Sequence, residues 1–218
     1  MTTLFSGDPR GLLTCAALLS LMPLRGATAQ HVTALPPVDS SILRRLEALA
    51  TPPYQAAWRS SDGGSLVGRE RFAVLISYRN CIGARDSRFK PALRAALRLL
   101  AQQARRDSVG FSATGVSIDW EPDSGVVYLS QLADFDQWVV GRNWLNDDVV
   151  QFVWQDSTAA PLMPQLIVFE REVRQEVRPQ GQPGSGLAFT PAHILHRLVG
   201  AATLARWVLA TADTIKGQ

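Results

Sequence analysis

Phe72-Ala-Val-Leu-Ile-Ser-Tyr78, running straight into Arg79-Asn80-Cys81, is the stretch on which the reading of this chain turns. Seven uncharged, mostly apolar residues in a row are a strand's length, and such a run fits a strand buried on both faces of a sheet. A polar loop follows, from Arg79 to Asp86. Ser87 to Arg106 then predicts a helix, with Phe89, Leu93, Leu97 and Leu100 on one face and Arg94, Arg98 and Arg105 off it. The chain therefore reads here as strand, turn, helix, with a cysteine at the joint.

The pattern continues downstream. Gly115-Val-Ser-Ile-Asp-Trp120 predicts a second strand ending in acidic residues and Pro122, and Val126 to Phe135 a second helix. Gln137 to Val140 suits a short strand, and Leu145 to Trp154 a helix with Asn146 or Asp147 at its start. Gln165-Leu-Ile-Val-Phe169 is another buried strand, with Glu170 to Val177 as its expected hairpin partner. A closing helix is expected from Pro191 to about Ala212, capped by Thr190 and with proline at its favoured first position. Upstream, Ser40 or Ser41 caps a short helix carrying Ile42, Leu43, Leu46 and Leu49, ended by Pro52-Pro53. Strands alternating with helices predict an α/β domain whose central sheet is covered on both faces.

At 218 residues, 46% hydrophobic and 19% charged, the chain has the apolar content for a core and excludes a disordered, collagen-like or coiled-coil protein. The 22 basic residues outnumber the 19 acidic ones by three, and all but Lys90 and Lys216 are arginine. They are dispersed instead of gathered into a stripe, so no nucleic-acid partner is expected. The first residues read as a secretory signal peptide: Arg10, the apolar run Gly11 to Met22, Pro23, and then Ala27-Thr-Ala29, with cleavage expected before Gln30. The apolar run is well short of the roughly 20 residues a membrane-spanning helix needs; Asp8, which weakens the charged start, leaves an uncleaved anchor as the alternative, and Cys15 a lipoprotein. Residues 1–29 are thus assigned to the leader, 30–65 to a linker and short helix, and 66–218 to the main domain. Export to the periplasm or beyond follows, with no stable membrane span after cleavage. The mature chain would keep one cysteine, Cys81, so no internal disulfide can form in it.

This order resembles the thioredoxin-like fold, in particular its exported thiol-disulfide reductase-like and peroxiredoxin-like branch. The resemblance runs from Phe72 to Val177. Ile76-Ser-Tyr-Arg-Asn-Cys81 is similar to the strand that delivers a cysteine to a helix start. Val116-Ser-Ile-Asp119 is similar to the strand that ends in an acid, and Met163-Pro164-Gln-Leu-Ile-Val-Phe169 to the strand opened by a cis-proline. The implied architecture is a central mixed sheet flanked by helices, with an N-terminal helical extension and a long C-terminal helix. The implied site places Cys81 and Pro164 in the catalytic role, with Asn80, Ala84, Arg85 and Met163 around the substrate. A protein thiol or disulfide is the implied partner, and no cofactor is implied. The chain departs from the family at Cys81-Ile-Gly-Ala84, where alanine stands in place of the second redox cysteine. Pro91 lies ten residues after Cys81; if it sets the register, Gly83 and Asp86 occupy the two redox positions. The peroxiredoxin pattern would need proline and threonine at Val74 and Tyr78, so peroxidase chemistry of the usual kind is not expected.

A thiol at a helix start faces unpaired N–H groups and the positive end of the helix dipole, which favour thiolate, as would Arg79, Arg85 and Arg88 if they turned inward. That chemistry would be monothiol exchange. The alternative is a non-catalytic binding or scaffold module in which Cys81 is a small buried residue. His193 and His196, placed on one helix face by the expected closing helix, lack an evident third ligand, so no metal is assigned. The tryptophans are expected mostly in the core, with Trp120 or Trp144 lining a groove near the site.

Overall fold

The computed structural model of the chain describes residues 39–52, 68–155, 161–176 and 186–216. The leader and, apart from residues 39–52, the 30–65 linker lie outside the described residues. The elements are α1 (Ser40–Leu49), β1 (Gly68–Ser77), α2 (Phe89–Arg106), β2 (Gly110–Ser117), α3 (Pro122–Leu132) and β3 (Gln137–Val139), then β4 (Gln165–Glu176), β5 (Gly186–Phe189), β6 (His193–Val199) and α4 (Ala201–Lys216). Between β3 and β4 the chain makes a 3₁₀ turn at Asn143–Leu145, a single α-turn at Asp147–Val149 and a π-helical turn at Val150–Trp154.

The sheet runs in the order β3-β2-β1-β4, and β4 pairs on its far side with both β5 and β6. β1, β2 and β3 are parallel; β4 is antiparallel to β1, β5 and β6. A parallel strand–helix–strand unit, an antiparallel strand pair and a closing helix therefore share one mixed sheet, the thioredoxin-like arrangement. The continuous apolar run of β1 is explained by its place in the middle. Ala73 and Leu75 enter one cluster with Leu93, Leu97, Leu100, Leu166 and Leu204, under α1, α2, α3 and α4. Val74 and Ile76 enter the other, with Val116, Ile167 and Phe169, covered by Val149, Phe152 and Val153 of the irregular segment. α1 is tied to the same body: Leu46 is fully buried, Arg45 pairs with Asp213 of α4, and Arg98 of α2 donates to the Leu49 carbonyl.

Five sequence expectations are corrected here. Of the expected hairpin partner Glu170–Val177, residues 170–176 are instead the second half of β4, a single twelve-residue strand, and Val177 lies outside the described residues. The closing helix starts only at Ala201, because residues 193–199 form β6. The far edge of β4 needs a partner, and Ile194, Leu195, Leu198 and Val199 suit a strand as well as a helix, so pairing decides. Thr190 does not cap a helix; its Oγ1 accepts from the Glu172 N–H and its own N–H donates to the Glu172 carbonyl. Gly200, at φ +79°, makes the break before α4. His193 and His196 therefore lie on a strand, not on a helix face. The described tryptophans are not core residues either: Trp120, Trp138 and Trp154 are exposed, and Trp144 and Trp207 half-buried.

Candidate functional site

The site begins where β1 runs out. Beyond Ser77 the Cys81 N–H donates to the Tyr78 carbonyl, and the Cys81 carbonyl accepts from the N–H groups of Ala84 and Arg85. These bonds wind Gly83–Arg85 into one 3₁₀ turn. Asp86 then starts α2: its carbonyl accepts from Phe89 N–H and its Oδ1 from Arg88 N–H at 2.9 Å. The Arg88 guanidinium folds back onto the same carboxylate, Nη2 to Oδ2 at 2.6 Å. From the β2 end, Asp119 Oδ2 accepts from the Arg79 N–H at 3.2 Å and from the Ser117 hydroxyl at 2.7 Å, fixing the start of the turn. Beneath, Ser77 and Tyr128 share a buried hydroxyl–hydroxyl contact of 2.7 Å, and burial pushes the Tyr128 phenol well above its ordinary range.

The second wall is the entry to β4. The Met163–Pro164 peptide is cis. The Cys81 thiol donates to the Met163 carbonyl at 3.0 Å, and the Pro164 carbonyl accepts from Gly200 N–H at 2.8 Å, so the loop is held from both sides. Gly83 lies flat against it: a Cβ there would stand 2.6 Å from Pro164 Cδ and 3.1 Å from the Met163 carbonyl oxygen. The two parts that the sequence assigned to one mouth, Cys81 and the Met163–Pro164 loop, do meet.

The other assigned residues divide. Asn80 and Arg85 are exposed beside the turn, bonded to each other, Arg85 Nη2 donating to Asn80 Oδ1 at 3.2 Å. Ala84 turns toward the core under α2. Of the three cations expected to favour thiolate, two are engaged elsewhere, Arg85 by Asn80 and Arg88 by Asp86, and Arg79 is exposed. Cys81 is unpaired, 5% exposed, and makes a contact to a carbonyl oxygen that a thiol can make and a thiolate cannot. Gly83 is the residue whose importance the family's cysteine pattern conceals; the spacing from Pro91 was its one sequence signal, since that register puts Gly83 at the first redox position. Three large apolar side chains stay in solvent on or next to these segments in the chain: Ile82 (65% exposed) on the turn, Leu162 (60%) just before the Met163–Pro164 loop, and Trp120 (85%) beside Asp119. Among the described residues no group of three or more metal-type side chains occurs, and no helix is long and apolar enough to cross a membrane.

Asp86 gives the first expected result. Its carboxyl is held below the usual carboxylate range, chiefly by the Arg88 side-chain hydrogen bonds. A folded-state value lowered from the unfolded one, near 3.9, gives stability that is complete above about pH 4 and is lost as pH falls through the folded value. Asp86→Asn keeps an oxygen for the Arg88 N–H but loses the charge paired with the Arg88 guanidinium, so it should cost about 1 kcal/mol at pH 7. Thermal melts should show the gap between the two proteins closing in acid; a constant gap at every pH would deny Asp86 this role.

No family model and no curated protein matches the sequence. Among solved structures, the chain is similar to the solution structure of a thiol:disulfide interchange protein from Bacteroides sp., at 20% identity over 64% of this chain and 70% of that one, with a TM-score of 0.34. A likeness at that level carries no weight for function, and the fold rests on the strand order and the site geometry described above.

Proposed function

We propose that this is an exported thioredoxin-fold protein that receives an extended segment of a partner protein at the mouth between the Cys81 turn and the Met163–Pro164 loop, and exchanges disulfides with it through Cys81. The observation that carries the reading is the 3.0 Å contact between the Cys81 thiol and the Met163 carbonyl, in which the lone cysteine of the expected mature chain lies beside a strand-entry backbone. Among the described residues the Met163 N–H has no hydrogen-bond partner and is left for an incoming strand. Ile82, Leu162 and Trp120 supply apolar surface for the flanking side chains.

The step is a monothiol exchange. The Cys81 thiol gives its proton to solvent, and its sulfur attacks one sulfur of the partner's disulfide. That S–S bond breaks, a Cys81–partner disulfide forms, and the displaced thiolate takes up a proton. With Ala84 where a second cysteine would stand, release of the partner requires an external thiol, which attacks the mixed disulfide and leaves Cys81 reduced. Docking at Met163 would compete for the carbonyl that holds the thiol, so the sulfur is guarded until a partner arrives.

The burial of Cys81 favours a second reading, a binding module on the same fold with an inert thiol. Native-state labelling separates the two. Under the exchange reading a maleimide labels the wild-type protein at pH 7 within minutes, the Cys81→Ser variant loses that label, and a disulfide-bonded peptide is trapped only by wild type. Labelling of Cys81 only in denaturant would leave the binding module.

A further inference from the structure

A second concavity lies on the helical side of the sheet, at the opposite end of β1 from the cysteine. It is about 530 Å³, within the size range of small-molecule sites. Arg71, which lines it, is six residues before the end of β1, so the cleft opens about 20 Å from the Cys81 turn at strand rise. Its walls are the last turns of α2 and α4 and the bulged part of β6, where the register slips between Val168 and Phe169. At the bulge Leu195 and His196 both reach the lining, where a regular strand would send neighbours to opposite faces.

The lining has two characters. Leu100, Leu195, Trp207 and Ile215 make an apolar floor, with the His196 ring tilted against the Trp207 ring at 5.4 Å. Arg71, Arg106, Asp107 and Gln103 make a polar wall. The charges on that wall do not cancel. Glu170 is met by Arg69 at 3.5 Å as well as by Arg71, and Asp107 by Arg71, so two guanidiniums answer the two carboxylates and Asp107, the one carboxylate of the lining, is already paired. Arg106 has no carboxylate within ion-pair distance among the described residues. Burial, and then the Arg71 charge, hold His196 toward its neutral form, in which one ring nitrogen still donates. An uncompensated guanidinium at the rim of an apolar, aromatic-walled cavity is matched by a small molecule with one anionic group and an apolar body.

We propose that this cleft is a binding site for an amphipathic organic anion, a monocarboxylate whose ring or short chain lies on the Trp207–Leu195 floor and whose carboxylate meets Arg106. The site is independent of Cys81 and of the exchange reading, and it stands if that reading fails.

Calorimetric titration of the full chain with 1-naphthoate, and in parallel with the neutral 1-naphthamide, tests it. Saturable one-to-one binding of the carboxylate is expected, with the amide at least about tenfold weaker, since one charge-assisted contact is lost. Arg106→Gln, at an exposed position, should weaken naphthoate by a similar factor and leave the thermal midpoint unchanged. Thr211→Phe, which fills the cleft from α4, should abolish binding, and a circular-dichroism spectrum like wild type will show that it has folded. Cys81→Ser should bind as wild type does. Absence of saturable heat, equal binding of acid and amide, or naphthoate binding unaltered by Arg106→Gln would each overturn the proposal.

Discussion

Gly83→Ala should both destabilise the protein and release Cys81. The added methyl would stand 2.6 Å from Pro164 Cδ, with the Met163 carbonyl oxygen next at 3.1 Å. Neither neighbour is the free end of a flexible side chain. Pro164 is a ring fixed to the backbone, and its own carbonyl is anchored by the Gly200 N–H. The Gly83 turn is anchored in turn by two N–H bonds to the Cys81 carbonyl. One wall must move, at a cost of about 1–3 kcal/mol for forcing an extra methyl into a packed site. Either movement widens the separation of Met163 from Cys81 and strains the 3.0 Å contact that holds the thiol. Maleimide labelling at pH 7 should then be at least severalfold faster than in wild type, and Cys81→Ser in the same background should remove the gain. Ile82→Ala is the control, on the same turn but exposed, and should stay within about 0.5 kcal/mol of wild type. If Gly83→Ala melts and labels like wild type, the turn and the proline loop do not touch as described.

The way this mouth forms explains what could be read in advance. Phe72–Tyr78 and Gln165–Phe169 were legible because burial on both faces writes itself as an unbroken apolar run, and α2 because its leucines repeat at helical spacing. Their meeting was legible through the resemblance, by way of a cysteine after one strand and a proline before another. The identity of the residue against Pro164 was obscured, since attention falls on the reactive side chain and Gly83 acts by having none. The fate of residues 193–199 was not legible from local pattern at all. Apolar residues at 194, 195, 198 and 199 fit either period, and the vacant edge of β4 is a tertiary fact. The exposed tryptophans are a similar case. Position in the chain does not tell that Trp120, after β2, and Trp154, at the end of the irregular segment, stay exposed.

The largest loss of stability is expected from Arg71→Leu. Across the β1–β4 ladder Glu70 stands opposite Arg171 and Arg71 opposite Glu170, and each pair is joined, by Arg171 Nε to Glu70 Oε2 at 2.7 Å and by Arg71 Nη2 to Glu170 Oε2 at 2.9 Å. The Arg71 and Glu170 side chains are each 11% exposed, so solvent cannot take over for a missing partner. Removing Arg71 leaves the Glu170 carboxylate with Arg69 at 3.5 Å, and leaves Asp107 without its cation. A buried charge left behind in this way costs about 3–5 kcal/mol. The double variant Arg71→Leu, Glu170→Leu removes both charges and sets two apolar residues opposite one another, so most of the loss should be recovered. The same asymmetry bears on register. A slip of β1 by one residue along β4 would send every side chain of the central strand to the wrong face. A slip of two keeps the faces, and against that the matched charges give discrimination, since they place both acids opposite arginines only in the observed alignment. Chemical denaturation of the two single variants and the double settles the matter. Additive losses from Arg71→Leu and Glu170→Leu would mean that the two groups stand apart, and recovery in the double variant that they act as one buried pair.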